Sequence, residues 1–360
     1  MADTKISAGA DPGLLLGSDK IPLARPPSTT AFAATMNQVV ALAGATALNN
    51  VGRNLLHNPL FNVAQRGAGP WTVSSFTLDR WSINPSADAI SVSQGVLNDA
   101  QRAAIGDDAA TVCAQIACTG TSGAGAFTIF AQAIEDVRRL GEKTITVSFW
   151  AAGSGTLKVG VNINQAFGSG GSPSPQAPAL ATGQQVTIGT VFSRYSITIP
   201  MPSTAGKTFG TTPNTSYSWL MLCLSSGATN NAVNGNIGVQ AGTFQFWGVQ
   251  LEVGAVATPL EKPDPQQDLA KCQRFYQVLK ASARFAATAS GQTVDNTVMF
   301  PPMRAAPTVI AGAGDANSNI SSAVFFVLSG ITNSGRFEIV SNAAGDAYAL
   351  GYVQSLSADL

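Results

Sequence analysis

Residues 243–253 read TFQFWGVQLEV, and residues 144–151 read TITVSFWA. In both stretches polar and apolar side chains alternate over several residues, which is the period of a β-strand with one buried face. Between and beside them lie three further stretches of the same kind, separated by Gly, Pro, Asn and Ser: TLKVGVN at 156–162, FSRYSITIP at 192–200 and SYSWLMLCL at 216–224. The pattern predicts a mainly β protein, with an antiparallel β-sandwich over residues 53–262.

A second, smaller β domain is predicted over residues 281–360, where short alternating strands return. Before it, residues 263–280 include LAKCQRFYQVLK, and Asp264 or Asp268 can cap a helix there. The apolar residues of this segment recur at helical spacing. We therefore expect a linker helix between the two β domains. Another short helix is predicted over residues 130–140, before Gly141.

The first 52 residues differ from the rest and predict an extended arm followed by a helix. Residues 1–28 contain four prolines and no sustained periodicity, so this arm is either disordered or ordered on a partner. Residues 29–50 are helix-forming, with Thr29 or Thr30 at the start. Their 4-3-4-3 spacing of side chains allows a trimeric bundle or a single amphipathic helix, and we favour the trimer. The predicted trimerisation seam includes Phe32, Met36, Val39 and Ala43.

Charged residues make up only 11% of the 360-residue chain, and 20 basic residues balance 20 acidic ones. Ordinary soluble domains carry about 25%. Either neighbouring subunits cover much of the surface, or this is a secreted β protein rich in Gly, Ser and Thr. The charge balance argues against nucleic-acid binding. No 18-residue apolar window and no signal-peptide pattern occur, so we expect no membrane insertion and assembly in a cytosol.

The sequence offers few groups for catalysis or metal binding. His57 is the only histidine, and it belongs to the sequence His-Asn-Pro, which is typical of a turn. Motifs for nucleophilic catalysis, phosphate loops and dinucleotide binding are missing from the sequence. We therefore expect no enzyme activity, no metal and no cofactor. The four cysteines are predicted to be small buried hydrophobes, not disulfides: Cys113, Cys118, Cys223 and Cys272.

Five segments, taken in order, carry a resemblance to a known family. The first two are RNLLHNPLFNVAQRG at 53–67 and LDRW at 78–81. They are followed by ITVSFWA at 145–151, QLEVGAVATPLEKPDPQQDLAKCQRFY at 250–276 and FPPMRAAPTV at 300–309. In this order they resemble bacteriophage tail-fibre and virion fibre proteins. The resemblance covers residues 53–360.

The resemblance implies a jelly-roll-like β-sandwich similar to carbohydrate-binding modules, followed by a small C-terminal β domain. It also implies a homotrimer in the virion that contacts the host surface, with the N-terminal arm attached to portal, tail, baseplate or capsid proteins. An adaptor or decoration protein without receptor binding is the alternative. A glycan-degrading tailspike enzyme is a second alternative, because sequence cannot place two carboxylates in one cleft.

Several residues are assigned roles from their positions. Arg66 and Arg80 can form charge-assisted hydrogen bonds to Glu252 or to backbone carbonyls. The tryptophans at 81, 150 and 247 lie in strand-like runs and are expected in the core. Exposed amides and aromatics on C-terminal loops are the predicted glycan-binding residues, although such residues also form turns. They are Asn317, Asn319, Asn333, Tyr348 and Tyr352.

Overall fold

The computed structural model describes residues 20–23, 32–35 and 52–360, and the chain divides into two compact units, 1–51 and 52–360. In the first unit, strand β1 (Lys20–Leu23) pairs antiparallel with strand β2 (Phe32–Thr35). Phe32 therefore belongs to a strand, and the predicted helix over 29–50 is wrong at residues 32–35. The remaining predicted seam residues, Met36, Val39 and Ala43, lie outside the described residues, so the trimeric seam stays a prediction.

Residues 52–262 contain the predicted antiparallel sandwich, built from a seven-stranded and a five-stranded sheet. The seven-stranded sheet consists of β3 (Ser75–Phe76), β4 (Trp81–Ser86), β7 (Phe127–Glu135), β9 (Leu157–Phe167), β10 (Ala177–Pro178), β11 (Gln184–Ile188) and β13 (Ser216–Ser226). The five-stranded sheet consists of β5 (Ile90–Val96), β6 (Val112–Cys118), β8 (Thr144–Gly153), β12 (Ser193–Pro200) and β14 (Gly242–Val253).

The inner faces of the two sheets enclose one large hydrophobic core. Trp81 stacks on Phe130 with 4.8 Å between ring centroids, and Phe246 meets Phe149 edge to face at 5.7 Å. Each such fully buried aromatic or aliphatic side chain contributes about 1.5–3 kcal/mol to folding. The inward-facing residues of both sheets, including those of β4, β7, β8 and β14, therefore stabilise the sandwich.

Helices are few and short, and two helix predictions need correction. Residues 127–135 form strand β7 with a 3-10 turn at Val137–Arg139, so the predicted helix over 130–140 is wrong. The apolar run FTIFAQAI is buried on both faces, which suits a central strand as well as a helix. Helix α1 (Asp99–Ile105) was not predicted, although Asn98 and Gln101 form a capping box and Gly106 ends it.

Helix α2 (Pro265–Gln273) lies within the predicted linker, and the side chain of Asp264 accepts bonds from the N–H groups of Gln266 and Gln267. The helix ends seven residues before Lys280, so the predicted extent of 263–280 is too long. Strand β15 (Tyr276–Ala287) begins almost at once. Residues 276–280 have the periodicity of a helix, but they form a strand because they pair with the long strand β21 (Gly345–Ser357).

The C-terminal residues form two further antiparallel sheets around a second hydrophobic core, which includes Phe325, Phe337, Ile339 and Leu356. Strands β15 and β21 form one sheet with β17 (Thr308–Ala311) and β18 (Ala316–Ser318). The other sheet contains β16 (Thr293–Met299), β19 (Ile320–Phe326) and β20 (Ser334–Ser341).

Candidate functional site

The candidate site lies on the outer face of the seven-stranded sheet. In β13, the even-numbered Leu220 and Leu222 point into the sandwich core, so the odd-numbered residues point outward. Tyr217 and Trp219 are therefore neighbours on the outer face. Register places Ser82 and Asn84 of β4 on the same face, across strand β7.

Each of the two aromatic rings has an alanine directly opposite it on one neighbouring strand. In the register of the sheet, Trp219 is opposite Ala133 on one side and Asn164 on the other. Tyr217 is opposite Ala166 on one side and Glu135 on the other. Since directly opposed residues lie about 4.5–5.5 Å apart, a large neighbour would cover a ring, and an alanine leaves that side of the ring uncovered. The strand pairing thus produces an aromatic shelf.

Two adjoining cavities of about 360 and 410 Å³ run along this shelf, and we call them together the groove. Gln176, Tyr217 and Leu360 line both cavities. Most of the remaining lining side chains are neutral and polar: Ser74, Ser75, Ser82 and Asn84 in the first, and Ser169, Ser174, Asn214 and Thr215 in the second. The lining combines aromatic surface with hydroxyl and amide groups.

A loop closes one end of the face. Residues 227–240 cover the outer face beside the second half of β13, where Met221, Cys223 and Ile237 form a small buried cluster. Gly160 allows this contact, because a Cβ at that position would lie 1.9 Å from the carbonyl oxygen of Asn234. Trp219 packs against this cluster and is half-buried, as is Tyr217, so the surface left to a ligand is the exposed part of these two rings.

The other end of the groove carries its two charged side chains, Arg304 and Asp359. The Nε–H of Arg304 donates to Oε1 of Glu135 at 3.0 Å, and its other nitrogens donate to the carbonyls of Ala358 and Asn214. Asp359 forms ion pairs with Arg66 and Arg80. Both of these side-chain charges are already engaged by the protein.

Polar groups at the shelf suit hydrogen bonding to a neutral ligand. Burial raises the pKa of Tyr217, so its hydroxyl stays protonated at neutral pH and can donate. The amide of Asn84 donates to the hydroxyl of Ser82 at 3.0 Å, which leaves the Asn84 oxygen as an acceptor. Oδ1 of Asn164 is buried beside Trp219 and accepts no hydrogen bond from the described residues.

The residues predicted to bind glycan do not line the groove. The amide of Asn317 donates to the hydroxyl of Tyr352 at 3.0 Å, so the structure brings these two together. Asn319 holds a turn by bonding both backbone groups of Ala343. Tyr348 packs against Arg284. The backbone carbonyl of Asn333 accepts from Phe300, in another part of the domain.

Sequence reasoning missed Tyr217 and Trp219. Their alternation in SYSWLMLCL already placed them on one face, but only the register of β13 with β7 and β9 shows that each has an alanine directly opposite it on one side. Trp81 and Trp247 are core residues, as predicted. Trp150 is half-buried and meets Trp247 edge to face at 5.4 Å.

Arg80 confirms one of its two predicted partners. Its Nη2 donates to the backbone carbonyl of Ala133 at 2.6 Å. The predicted alternative partner, Glu252, is wrong for both arginines, because its carboxylate accepts from the N–H and hydroxyl of Thr258 at 2.9 and 2.6 Å. Both arginines instead pair with the carboxylate of Asp359, which is far from them in the sequence, and Arg66 also lies 4.0 Å from Asp79.

The four cysteines are all free and buried, as predicted. Burial raises the pKa of Cys113 to about 12 and that of Cys118 to about 11, so both remain protonated thiols. Among the described residues, no group of three or more His, Cys, Asp or Glu side chains is placed to hold a metal ion. No helix in the described ranges has the length and apolar character needed to cross a membrane.

No family model and no curated protein matches the chain. Solved structures with some similarity include a putative sugar binding protein from Bacteroides thetaiotaomicron (14% identity, 56% of this chain, 100% of that chain, TM-score 0.36). A family 11 carbohydrate-binding module from Clostridium thermocellum, in complex with a mixed-linked tetrasaccharide, has 11% identity over 53% of this chain and 98% of its own, with a TM-score of 0.31.

The enzymatically active domain of tailspike protein 4 from bacteriophage CBA120 has 14% identity over 56% of this chain, with a TM-score of 0.29. The match spans only 21% of that tailspike chain. All three TM-scores lie below 0.4, and none of these similarities bears on what the groove binds.

Proposed function

We propose that this chain is a non-enzymatic fibre or spike protein of a bacteriophage particle that binds a neutral glycan in the groove on its seven-stranded sheet. The observation that carries the binding proposal is the open shelf of Trp219 and Tyr217 beside neutral polar side chains. Sugar rings present C–H groups on their faces and hydroxyls at their edges. Aromatic faces carry negative charge and attract such C–H groups, while amides and hydroxyls pair with the ring substituents.

The groove favours a neutral glycan over an acidic one. Its two charged side chains, Arg304 and Asp359, are each held by partners within the protein. An acidic sugar would have to displace these partners or lie without a counter-charge, and an unpaired buried charge is costly. A neutral glycan requires no such rearrangement.

A binding role fits the groove better than glycoside hydrolysis does. Hydrolysis uses two carboxylates about 5–10 Å apart, one on each side of the scissile bond. Among the described residues, Asp359 is the one acidic side chain that lines the groove, and Arg66 and Arg80 hold it. Burial opposes ionisation of nearby Glu135, but its bonds to Arg274 and Arg304 lower its pKa on balance. Glu135 is therefore not poised as a general acid, and Asp359 is held in ion pairs.

The placement on a virion rests on the ordered sequence segments and on the composition of the chain. We propose a homotrimer that attaches to the particle through residues 1–52 and directs the β domains towards the host surface. The particle would assemble in the host cytoplasm. The second candidate is an adaptor or decoration protein without receptor binding. The low content of charged residues, which suits a surface covered by other virion proteins, supports this candidate as much as the first.

A glycan array followed by titration calorimetry tests the binding proposal. We expect wild-type protein to bind neutral oligosaccharides, and Trp219→Ala or Tyr217→Ala to weaken binding about tenfold or more, which is ~1.4 kcal/mol. Tyr348→Ala is the matched control, because this tyrosine lies in the C-terminal domain outside the groove.

Binding that Tyr348→Ala removes and Trp219→Ala retains would place the site on the C-terminal loops instead. No binding to any glycan or host cell would favour the adaptor. New reducing ends in host polysaccharide incubated with the protein would show an enzyme.

A further inference from the structure

A second cavity, of about 200 Å³, lies on the other side of Glu135 from the groove. Glu135 is next to Tyr217 in the strand register, and its carboxylate pairs with Arg304 of the groove wall. The cavity is lined by the end of β7, the 3-10 turn after it, the turn that contains His57, and helix α2. We call it the cationic cavity.

The cationic cavity collects an unusual share of positive charge for a chain with so few charged residues. Four cations line it, Arg80, Arg139, Lys271 and Arg274, against the single carboxylate of Glu135. Both nitrogens at the end of Arg274 bond Glu135, and Arg304 bonds it as well. Glu135 is therefore fully engaged and cannot neutralise the remaining cations.

Two of these cations, Lys271 and Arg139, take part in no ion pair in the described part of the chain, and the carboxylate of Asp268 acts on Lys271 electrostatically. Lys271 is half-buried, whereas Arg139 is exposed. Their neighbour Arg138 differs, since it pairs with Asp136 and stacks 3.7 Å over the ring of Phe209. A half-buried cation such as Lys271 is stabilised by an anion or ordered water in the cavity, and the exposed Arg139 adds a solvated positive charge beside it.

Buried nitrogens beside the cavity also lack hydrogen-bond partners. Arg80 is 2% exposed, and its Nε donates no hydrogen bond to the residues described, while its Nη1 lies 3.5 Å from Oδ1 of Asp359 in an ion pair. Nδ1 of His57 is likewise buried without a partner among these residues. The amide of Gln132 holds the backbone of His57 through two bonds of 2.8 and 2.9 Å, so the imidazole is fixed at the cavity wall.

We propose that the cationic cavity binds a small oxyanion with two negative charges, of the phosphate or sulfate type. Arginine and lysine donors are the usual ligands of such groups, and charge-assisted hydrogen bonds are roughly twice as strong as neutral ones. The volume admits one tetrahedral anion with a few waters and is small for a sugar ring. The site does not depend on what the groove binds.

The test uses the full-length protein and inorganic phosphate at constant ionic strength, with chloride as the balancing anion. We expect saturable millimolar binding by calorimetry. The double variant Arg139→Gln/Lys271→Gln should weaken it about tenfold for each cation removed. The control double variant Arg138→Gln/Lys207→Gln has the same charge change outside the cavity and should bind as the wild type does.

A second measurement reports the location in the unaltered protein. His57 is the sole histidine, so its imidazole gives one assignable NMR signal. Phosphate should shift this signal along the same saturation curve as the calorimetry. The same titration is repeated with a hexose phosphate. Weaker binding than that of inorganic phosphate supports a free anion as the ligand, and tighter binding supports a phosphorylated sugar.

Three results would overturn the proposal. Binding that does not saturate by about 50 mM is only ionic screening. Equal weakening by the two double variants shows a general charge effect. Saturable binding that leaves the His57 signal unmoved places the anion elsewhere on the protein.

Discussion

The guanidinium carbon of Arg80 lies 3.4 Å from the centroid of the Phe275 ring. Arg80 comes just before the first long strand of the sandwich, and Phe275 comes just before the first strand of the C-terminal domain. The stack therefore joins the two β domains of the second unit. The ion pair of Arg80 with Asp359, near the end of the chain, reinforces the same junction.

Replacing Arg80 should destabilise the junction strongly. Arg80→Met keeps much of the volume but removes the charge that faces Asp359 and the bond to Ala133. Breaking a buried ion pair costs about 3–5 kcal/mol, and we expect a loss in that range by urea unfolding. Arg284→Met is the control, because its pair with Asp346 is exposed and should add nothing measurable. Equal midpoints for both variants would contradict a role of Arg80 in stability.

Covering the aromatic shelf should block glycan binding without removing any aromatic ring. Ala166→Leu would place a larger side chain directly opposite Tyr217 on the outer face. We expect glycan affinity to fall about tenfold and the free energy of unfolding to fall by about 1–3 kcal/mol, since Ala166 is only 8% exposed at the edge of the cavity. Ala316→Leu, on an exposed strand of the C-terminal domain, is the size-matched control. Unchanged affinity in Ala166→Leu would show that Tyr217 does not contact the glycan.

Gly160 should tolerate no side chain. A Cβ there would overlap the carbonyl oxygen of Asn234, so Gly160→Ala must displace the loop 227–240. Overpacking of this kind costs about 1–3 kcal/mol. Limited proteolysis should cut the loop faster in Gly160→Ala than in Gly155→Ala, where the added Cβ meets nothing within 4 Å. Identical cleavage of both variants would show that the loop does not rest on Gly160.

The side chain of His57 should remain neutral down to a pH of about 4, because its pKa is lowered to about 3. Burial, with Arg80 and Lys271 nearby, lowers its pKa from 6.5 to about 3. The unfolded chain takes up a proton below pH 6.5 and the folded chain does not, so this residue reduces stability as pH falls from 6.5 towards 3. Wild type should therefore lose more stability than His57→Gln between pH 7 and pH 4. An NMR titration that finds an ordinary pKa would contradict the burial of His57.

The oligomeric state tests the fibre proposal. Light scattering of the full chain should give three times the chain mass of 36.9 kDa. A chain of residues 52–360 contains both hydrophobic cores, so we expect it to fold and to lose trimerisation if residues 1–51 hold the seam. A stable full-length monomer at micromolar concentration would rule out the trimer. A trimer formed by residues 52–360 alone would move the seam into the β domains.

The alternation of polar and apolar residues was enough to predict most of the strands. TITVSFWA and TFQFWGVQLEV became the paired strands β8 and β14, with their alternating apolar residues in the core. The errors lie where periodicity is ambiguous. The apolar run FTIFAQAI, buried on both faces, is compatible with either a strand or a helix. Residues 276–280 have a helical period, but they pair with β21 as a strand.

The sequence by itself determined the mainly β class, the burial of the cysteines and the alternation that sets Tyr217 and Trp219 on one face. These properties depend on neighbours a few positions apart in the chain. Only the tertiary structure determined which part of this face stays accessible. The loop 227–240, which Gly160 admits, covers one half, and in the other half Ala133 and Ala166 lie opposite Trp219 and Tyr217. It also brought Asp359 to Arg66 and Arg80, and four cations to one cavity. Such contacts join residues far apart in the chain, and only strand register and domain packing place them.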